Sequence, residues 1–277
     1  MRKIGLVFEG GGGKGAYQIG AWKAIRELGI EKHICMISGT SVGALNAALF
    51  CQGSLIMAEN IWGMICEDDI LHIKENDDYF QGNCFFSQKK LESIISKVLQ
   101  IPSRNDVIQK CFVTCKCDAE NMVRYFEWSK YMDIELKKKI LLASSAIPII
   151  FESVKIDGRF YSDGGLNGDN IPVKPLLNQG LDSIIVIHLS RKPVNIYGNV
   201  EKVYEVFPSV GLGDLLSGTL DFDKEHIQNI IQLGYVDTLK NLRMLGEELL
   251  ELYDELENVQ RETKRIYFHK EAHSSTL

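Results

Sequence analysis

Ile34-Cys35-Met36-Ile37-Ser38-Gly39-Thr40-Ser41-Val42-Gly43-Ala44-Leu45-Asn46-Ala47-Ala48-Leu49 is the stretch that decides the fold of this chain. The apolar run Ile34–Ile37 marks a buried strand over Ile34–Ser38, and Ala44–Leu49 reads as a helix. Between them, Gly39-Thr40-Ser41-Val42-Gly43 has the Gly-x-Ser-x-Gly form of a nucleophile elbow, in the strand–turn–helix context which that form requires. So tight a turn strains the serine backbone. Side chains two residues to either side would collide with it, so Gly39 and Gly43 are needed there. The product is a hydroxyl raised at the end of a strand, above the start of a helix, and placed to cleave an acyl bond.

Upstream, Ile4–Phe8 is a short buried strand, and Ala16–Leu28 has helical periodicity closed by Gly29. The order β–loop–α–β–elbow–α predicts adjacent parallel strands with helices on the faces, an α/β fold. Between the first strand and helix lies Gly10-Gly11-Gly12-Gly13-Lys14-Gly15. Glycines let the backbone curl so that successive N–H groups face one point, and the helix N-terminus adds its dipole. Three readings compete for this loop. It matches the dinucleotide fingerprint formally, but the second strand ends in Ser38-Gly39 where that fold wants an acidic residue. A phosphate-binding P-loop would need glycine at Phe8 and Ser or Thr at Gly15. An oxyanion hole serving Ser41 needs only a loop one strand away from the elbow, and the pairing of the two motifs favours it.

Downstream, residues 53–110 read as mainly helical, with Ile56–Ile65 and Gln88–Gln100 carrying the pattern. The polar stretch Glu67–Asn83 is an exposed connection, with a lid as the alternative. Cys111–Cys117 and Met122–Trp128 are strands joined by Asp118–Asn121, and a helix covers Ile134–Ser145. Val154–Ile156 and Arg159–Tyr161 flank the two-residue turn Asp157-Gly158. Ile184–Leu189 is a further buried strand. From about Asp223 to Ile266 the chain is helical and charged. Leu242, Leu245, Leu249, Leu252 and Leu256 mark an apolar stripe whose default is packing on the domain, ahead of a partner or a lipid surface.

Bulk properties set the class. The chain has 277 residues, 45% hydrophobic and 25% charged, enough for one large core or two small ones. A net charge of −6 argues against a nucleic-acid partner. The apolar N-terminal run stops at Glu9, too soon for a signal peptide, and Ile140–Phe151 falls short of the ~20 residues that span a bilayer. A cytoplasmic protein with at most peripheral membrane contact is expected. Seven scattered cysteines read as reduced thiols, and Cys111, Cys115 and Cys117 as strand residues in preference to a zinc site.

A serine nucleophile needs a base. Of six histidines, only His188 sits at a strand end where a hydrolase histidine could, and its apolar surroundings favour a core role. Asp163, before Gly164-Gly165, is the rival. The hairpin already has its turn at Asp157-Gly158, so Asp163 lies at a strand end, where catalytic residues of α/β folds gather. Burial would raise the pKa of such a carboxylate and fit it to accept the serine proton.

Taken together, Gly10–Gly15, Gly39–Gly43 and Asp163-Gly164-Gly165, in this order, resemble the three signature blocks of the patatin-like phospholipase family. Ser144-Ser145-Ala146-Ile147-Pro148 and Asn170-Ile171-Pro172-Val173 are similar to the family as well. The resemblance is good over residues 1 to about 190, within a single domain spanning 1–277 whose C-terminal part, about 205–270, is helical. It implies a three-layer α/β/α fold with a mainly parallel central sheet. It also implies a Ser41–Asp163 dyad with no catalytic histidine, and an oxyanion hole from the N–H groups of Gly11, Gly12 and Gly13. The implied reaction is hydrolysis of acyl esters of phospholipids or lysophospholipids through an acyl-enzyme, at a membrane or micelle surface, without metal or cofactor. A carboxylesterase or acyltransferase would use the same dyad. A nucleotide- or phosphate-binding module would use the glycine loop and treat Ser41 as structural. A catalytically silent lipid-binding protein would bind vesicles but release no fatty acid, a reading that the intact Ser41, Asp163 and glycines disfavour. Glu9, beside the loop, departs from the residues many relatives carry there. The acyl pocket is expected from the 53–110 region and the 205–235 segment.

Overall fold

Two strands buried along their whole length, β1 (Ile4–Phe8) and β2 (Ile34–Thr40), lie parallel at the middle of the sheet in the computed structural model of the protein. The structure describes residues 2–65, 72–73, 86–100, 108–128, 131–193, 198–214, 218 and 222–274. Helix α1 (Ala16–Glu27) returns the chain between them, and α2 (Val42–Gln52) leaves from the elbow. Next come α3 (Leu55–Met64), a small hairpin of β3 (His72–Ile73) and β4 (Phe86–Ser87), and α4 (Lys89–Leu99). The rest of the expected connection Glu67–Asn83 lies outside the described residues.

The chain re-enters the main sheet as β5 (Lys110–Cys117) and β6 (Met122–Trp128), then forms α5 (Ile134–Ser144), which is N-capped by the Asp133 carboxylate. The hairpin β7 (Val154–Ile156) and β8 (Arg159–Asp163) turns at Asp157-Gly158, as the sequence predicts. Strands β9 (Ser183–Ile187) and β10 (Lys202–Val206) and the long helix α6 (Lys224–Ser274) complete the order. The strand order is β10-β9-β1-β2-β5-β8-β7, with β6 also paired to β5. From β10 to β5 every pair is parallel, whereas the pairs among β5, β6, β7 and β8 are antiparallel.

Side-chain alternation divides the core between the two faces. Ile4, Leu6 and Phe8 face the larger cluster with the helices, while Val7 faces a smaller one with Cys35, Met36, Phe112, Leu176 and Val186. The second face is covered by the segment around the short 3-10 turn Lys174–Leu176. The arrangement is the three-layer α/β/α type with a thin outer layer. Cys111, Cys115 and Cys117 are buried on β5, and all the described cysteines are free thiols.

The tail helix packs on α1. A Cβ on Gly20 would lie 1.8 Å from the Ile231 carbonyl oxygen, and one on Gly234 would lie 2.0 Å from that of Tyr17, so the two backbones touch where the helices cross. The Tyr17 hydroxyl donates to Asp237 Oδ2 at 3.0 Å across the same contact. Leu242, Leu245 and Leu249 are buried, whereas Leu252 is partly exposed and the Leu256 side chain lies outside the described residues. Among the described residues no helix is long and apolar enough to cross a membrane.

Candidate active site

Ser41 sits at the C-terminal end of β2 with φ 56° and ψ −126°, a conformation that L-residues avoid. Its neighbours make that turn possible. A Cβ on Gly39 would lie 2.3 Å from the Gly43 oxygen, and one on Gly43 would lie 2.3 Å from the Phe8 oxygen. The Ser41 carbonyl caps α2 by accepting from Ala44 and Leu45 at 2.9 and 3.2 Å. Its N–H donates at 2.9 Å to the hydroxyl of Ser144, which donates in turn at 2.7 Å to the Thr114 carbonyl. Ser144 is wholly buried, so this bond is shielded from competing water.

Strand β5 sets the spacing between Ser41 and Asp163. Its Thr114 pairs with Thr40, the residue before the nucleophile candidate, and the next residue, Cys115, pairs with Asp163 on the other side. Asp163 ends β8, donates its N–H to the Ala146 carbonyl at 2.9 Å, and accepts the Gly165 N–H on Oδ1 at 2.7 Å. The Ser41 side chain lies near enough to favour the ionised form of its carboxylate. Burial raises the Asp163 pKa from 3.8 to about 6, against the opposing pull of the nearby Ser41 hydroxyl and the Gly165 N–H.

The glycine loop passes directly over Ser41. A Cβ on Gly10 would come within 3.3 Å of the Ser41 Cβ and 2.4 Å of Asn170 Oδ1. Gly10 donates to the Asn170 carbonyl, and Asn170 Nδ2 donates back to the Gly10 carbonyl, both at 3.0 Å. A Cβ on Gly165 would also meet Asn170 Oδ1, at 2.3 Å, so this one amide is wedged between the glycine loop and the Asp163-Gly164-Gly165 block. Gly164 lies against Thr114, and Gly15 packs on Val42 at the start of α2. Gly11 is extended, Gly12 takes φ 57°, and Gly13 lies in the 3-10 turn Gly12–Gly15 that opens α1.

Glu9 does more than its place beside the loop suggests. Its buried carboxylate accepts from Leu189 N at 2.6 Å, Ser190 N at 3.0 Å, Ser190 Oγ at 2.7 Å and Asn170 Nδ2 at 3.3 Å. Burial pushes its pKa up, but the neighbouring His188 ring and the hydrogen bonds from Ser190 and Leu189 outweigh that and hold it below the ordinary value. His188 lies behind Glu9, fully buried. Its Nε2 is 2.9 Å from Glu205 Oε1, its Nδ1 is 3.5 Å from Glu9 Oε2, and its ring stacks on Phe207. The sequence offers a signal for Glu9, a carboxylate between an apolar strand and a glycine run. It offers none for the Ser41–Ser144 bond, which joins residues 103 apart.

A cavity of ≈ 90 Å³ opens from Ser41 and Gly12 into apolar surroundings. Leu45 and Leu49 of α2, Ile61 and Trp62 of α3, and Ile95 of α4 line it, with Leu141, Phe151 and Phe222 opposite. Most of its wall therefore comes from the expected 53–110 region together with α2, and the 205–235 segment supplies Phe222. Among the described residues, no group of three or more His, Cys, Asp or Glu side chains could hold a metal ion.

Comparison with known proteins gives the same outline. The family model for patatin-like phospholipase matches residues 6–177, more than half of the chain. Over 49 residues the chain is 56% identical to the neuropathy target esterase sws of Drosophila persimilis, a match covering 18% of this chain and 3% of that protein. Over 51 residues it is 49% identical to the lysophospholipase nte1 of Aspergillus terreus, with the same coverage of each. The chain thus spans a small part of the length of these curated relatives. Among solved structures, VipD of Legionella pneumophila superposes with a TM-score of 0.55 at 15% identity, over 88% of this chain and 67% of that one. Human GIVD cytosolic phospholipase A2 superposes with a TM-score of 0.50 at 9% identity, over 90% and 58%. These two structures share the fold, and the match of the family model over residues 6–177 shows that the chain belongs to the patatin-like phospholipases.

Proposed function

We propose that the protein hydrolyses acyl esters of lipids at Ser41, with Asp163 as the general base. The observation that carries this reading is the placement of Ser41, in its strained turn, beside the buried Asp163 carboxylate across β5, where Thr40 pairs with Thr114 and Asp163 with Cys115, with Ser41 opening on an apolar cavity. Burial raises the Asp163 pKa to about 6. A base poised near neutrality can hold a proton long enough to hand it on.

In the first step the Ser41 oxygen attacks the acyl carbonyl while Asp163 takes the hydroxyl proton. The oxyanion falls beside the glycine loop, where the N–H groups of Gly11, Gly12 and Gly13 receive it. Collapse expels the alcohol, which leaves with the proton from Asp163, and the acyl group stays on Ser41. Water then gives its proton to Asp163 and attacks the acyl-enzyme. The carboxylate returns that proton to Ser41 as the fatty acid departs. Leu45, Leu49, Trp62, Ile95 and Leu141 would hold the acyl chain, which loses contact with water there.

Phospholipids and lysophospholipids are the proposed substrates, in keeping with the esterase and lysophospholipase names of the curated relatives. A lipid panel with mass-spectrometric detection of products, comparing the wild type with Ser41→Ala, tests this. Fatty acid released only by the wild type supports it. Equal release by both proteins, or by neither, refutes it.

A further inference from the structure

We propose that Ile149 is a membrane-docking tip, inserting among the acyl chains of a lipid surface at the mouth of the cavity. The inference rests on the lipid hydrolase reading.

Residues Ile147-Pro148-Ile149-Ile150 form a tight turn, with the Ile150 and Phe151 N–H groups donating to the Ile147 carbonyl at 3.1 and 2.9 Å. Proline occupies the second position, and the third has φ 76°, the pattern of a type II turn. That third position belongs by chemistry to glycine or asparagine. A β-branched residue there is strained, because its Cβ crowds the neighbouring carbonyls. Ile149 is moreover 77% exposed, the highest value of any isoleucine among the described residues. Backbone strain and exposed apolar surface are both unfavourable in water, and neither secures any packing in the fold.

The position of the turn shows what it could serve. Ile147 and Phe151, on either side of the tip, line the cavity that opens at Ser41, as does Ser145 just before it. Ala146 accepts the Asp163 N–H, so the turn is anchored to the dyad by one hydrogen bond. A second exposed apolar side chain, Leu166, follows three residues after Asp163, just as Ile149 follows three residues after Ala146. Three residues reach at most about 11 Å, so both tips lie within that distance of the shared hydrogen bond. With Ile147 and Phe151 in the cavity wall and Ile149 exposed between them, this turn joins the cavity to the outer surface, and on the proposal an acyl chain leaving a bilayer passes along it. An apolar tip buried in the surface would let it do so without meeting water. The occupant is therefore the hydrocarbon of a lipid surface, and because the tip carries no charge it requires no anionic headgroup.

Ile149→Asn and Ile149→Gly test the proposal, since both residues accept positive φ and both remove the apolar tip. Sedimentation with phosphatidylcholine vesicles is measured in the Ser41→Ala protein with and without each change. Hydrolysis of p-nitrophenyl butyrate in solution and Tm are measured with Ser41 intact. The expected result is a vesicle partition coefficient about tenfold lower, the loss of one inserted aliphatic side chain, with Tm unchanged or raised and soluble-ester hydrolysis within about twofold of wild type. An unchanged partition, which would follow if Ile149 seats instead against another protein, overturns the proposal. So does a parent protein that fails to bind the vesicles, or an equal loss on the soluble ester. If the parent hydrolyses no ester while the partition still falls, the hydrolase reading fails and the docking tip stands.

Discussion

The Ser144 hydroxyl accepts the Ser41 N–H at 2.9 Å, and this bond holds the nucleophile candidate in a conformation that its own backbone disfavours. Ser144 ends α5, and the Ala146 carbonyl two residues on receives the Asp163 N–H. One stretch of chain thus holds both members of the proposed dyad. Ser144→Ala leaves a buried N–H and the Thr114 carbonyl without this partner, a loss of about 1–3 kcal/mol. The expected outcome is a lower Tm together with a kcat reduced at least about tenfold and KM little changed, measured by steady-state kinetics on a soluble ester. Wild-type kcat would mean that the strained turn holds without Ser144.

Glu9 supports the other half of the site. Its carboxylate ties the strand before the glycine loop to Leu189 and Ser190, and Asn170 joins it to the loop itself. Glu9→Gln keeps the size but replaces one acceptor with a donor facing other donors. A stability loss of about 1–3 kcal/mol and a fall in kcat are expected, measured by denaturant unfolding and ester hydrolysis. Because the folded pKa of Glu9 lies below 4.5, its stabilisation is present above that value and is lost as pH falls through the folded pKa.

Asp163 acts in the opposite sense. Between pH 3.8 and about 6 the folded state keeps a proton that the unfolded state has released, so stability falls as pH rises through that window. The ionised carboxylate costs the fold roughly 2–3 kcal/mol at neutral pH. Asp163→Asn is therefore expected to be inactive yet more stable than wild type at neutral pH, with the gain shrinking as pH falls toward 4. Thermal unfolding across that range measures it, and a variant less stable at neutral pH would contradict the sign.

Where α1 crosses α6, Gly20 leaves no room for a side chain, since a Cβ would stand 1.8 Å from the Ile231 oxygen. Gly20→Ala is expected to lower stability by about 1–3 kcal/mol through overpacking, despite the better helix propensity of alanine. A gain in Tm would mean that the tail helix is free to move away.

Much of this architecture was legible because it rests on local chemistry. The elbow declares itself by two glycines around a serine between a strand and a helix, and Asp157-Gly158 marks its hairpin. Strand β10 has no local signature, because Lys202-Val203-Tyr204-Glu205-Val206 is a half-polar edge strand whose pairing with β9 depends on tertiary context. Strands β2 and β8 run farther at their site ends than the sequence predicts, because Thr40 and Asp163 join the sheet only through β5. Ser144 and Asn170 stood in recognisable blocks, but their roles depend on contacts over more than a hundred residues of sequence, which no local pattern encodes. For His188 the apolar run around it correctly indicated a buried ring. Its placement between Glu9 and Glu205 followed only from the packing of β9 against its neighbours.

The claim that Asp163 activates Ser41 is tested most directly by the rate at which a fluorophosphonate probe labels Ser41 as pH is varied. Labelling of the wild type should rise through about pH 6 as Asp163 ionises. It should persist in His188→Ala and fall by roughly 10³-fold in Asp163→Asn, the scale expected when a proton acceptor is removed. Labelling of Asp163→Asn at the wild-type rate, or a comparable loss in His188→Ala, would contradict the account.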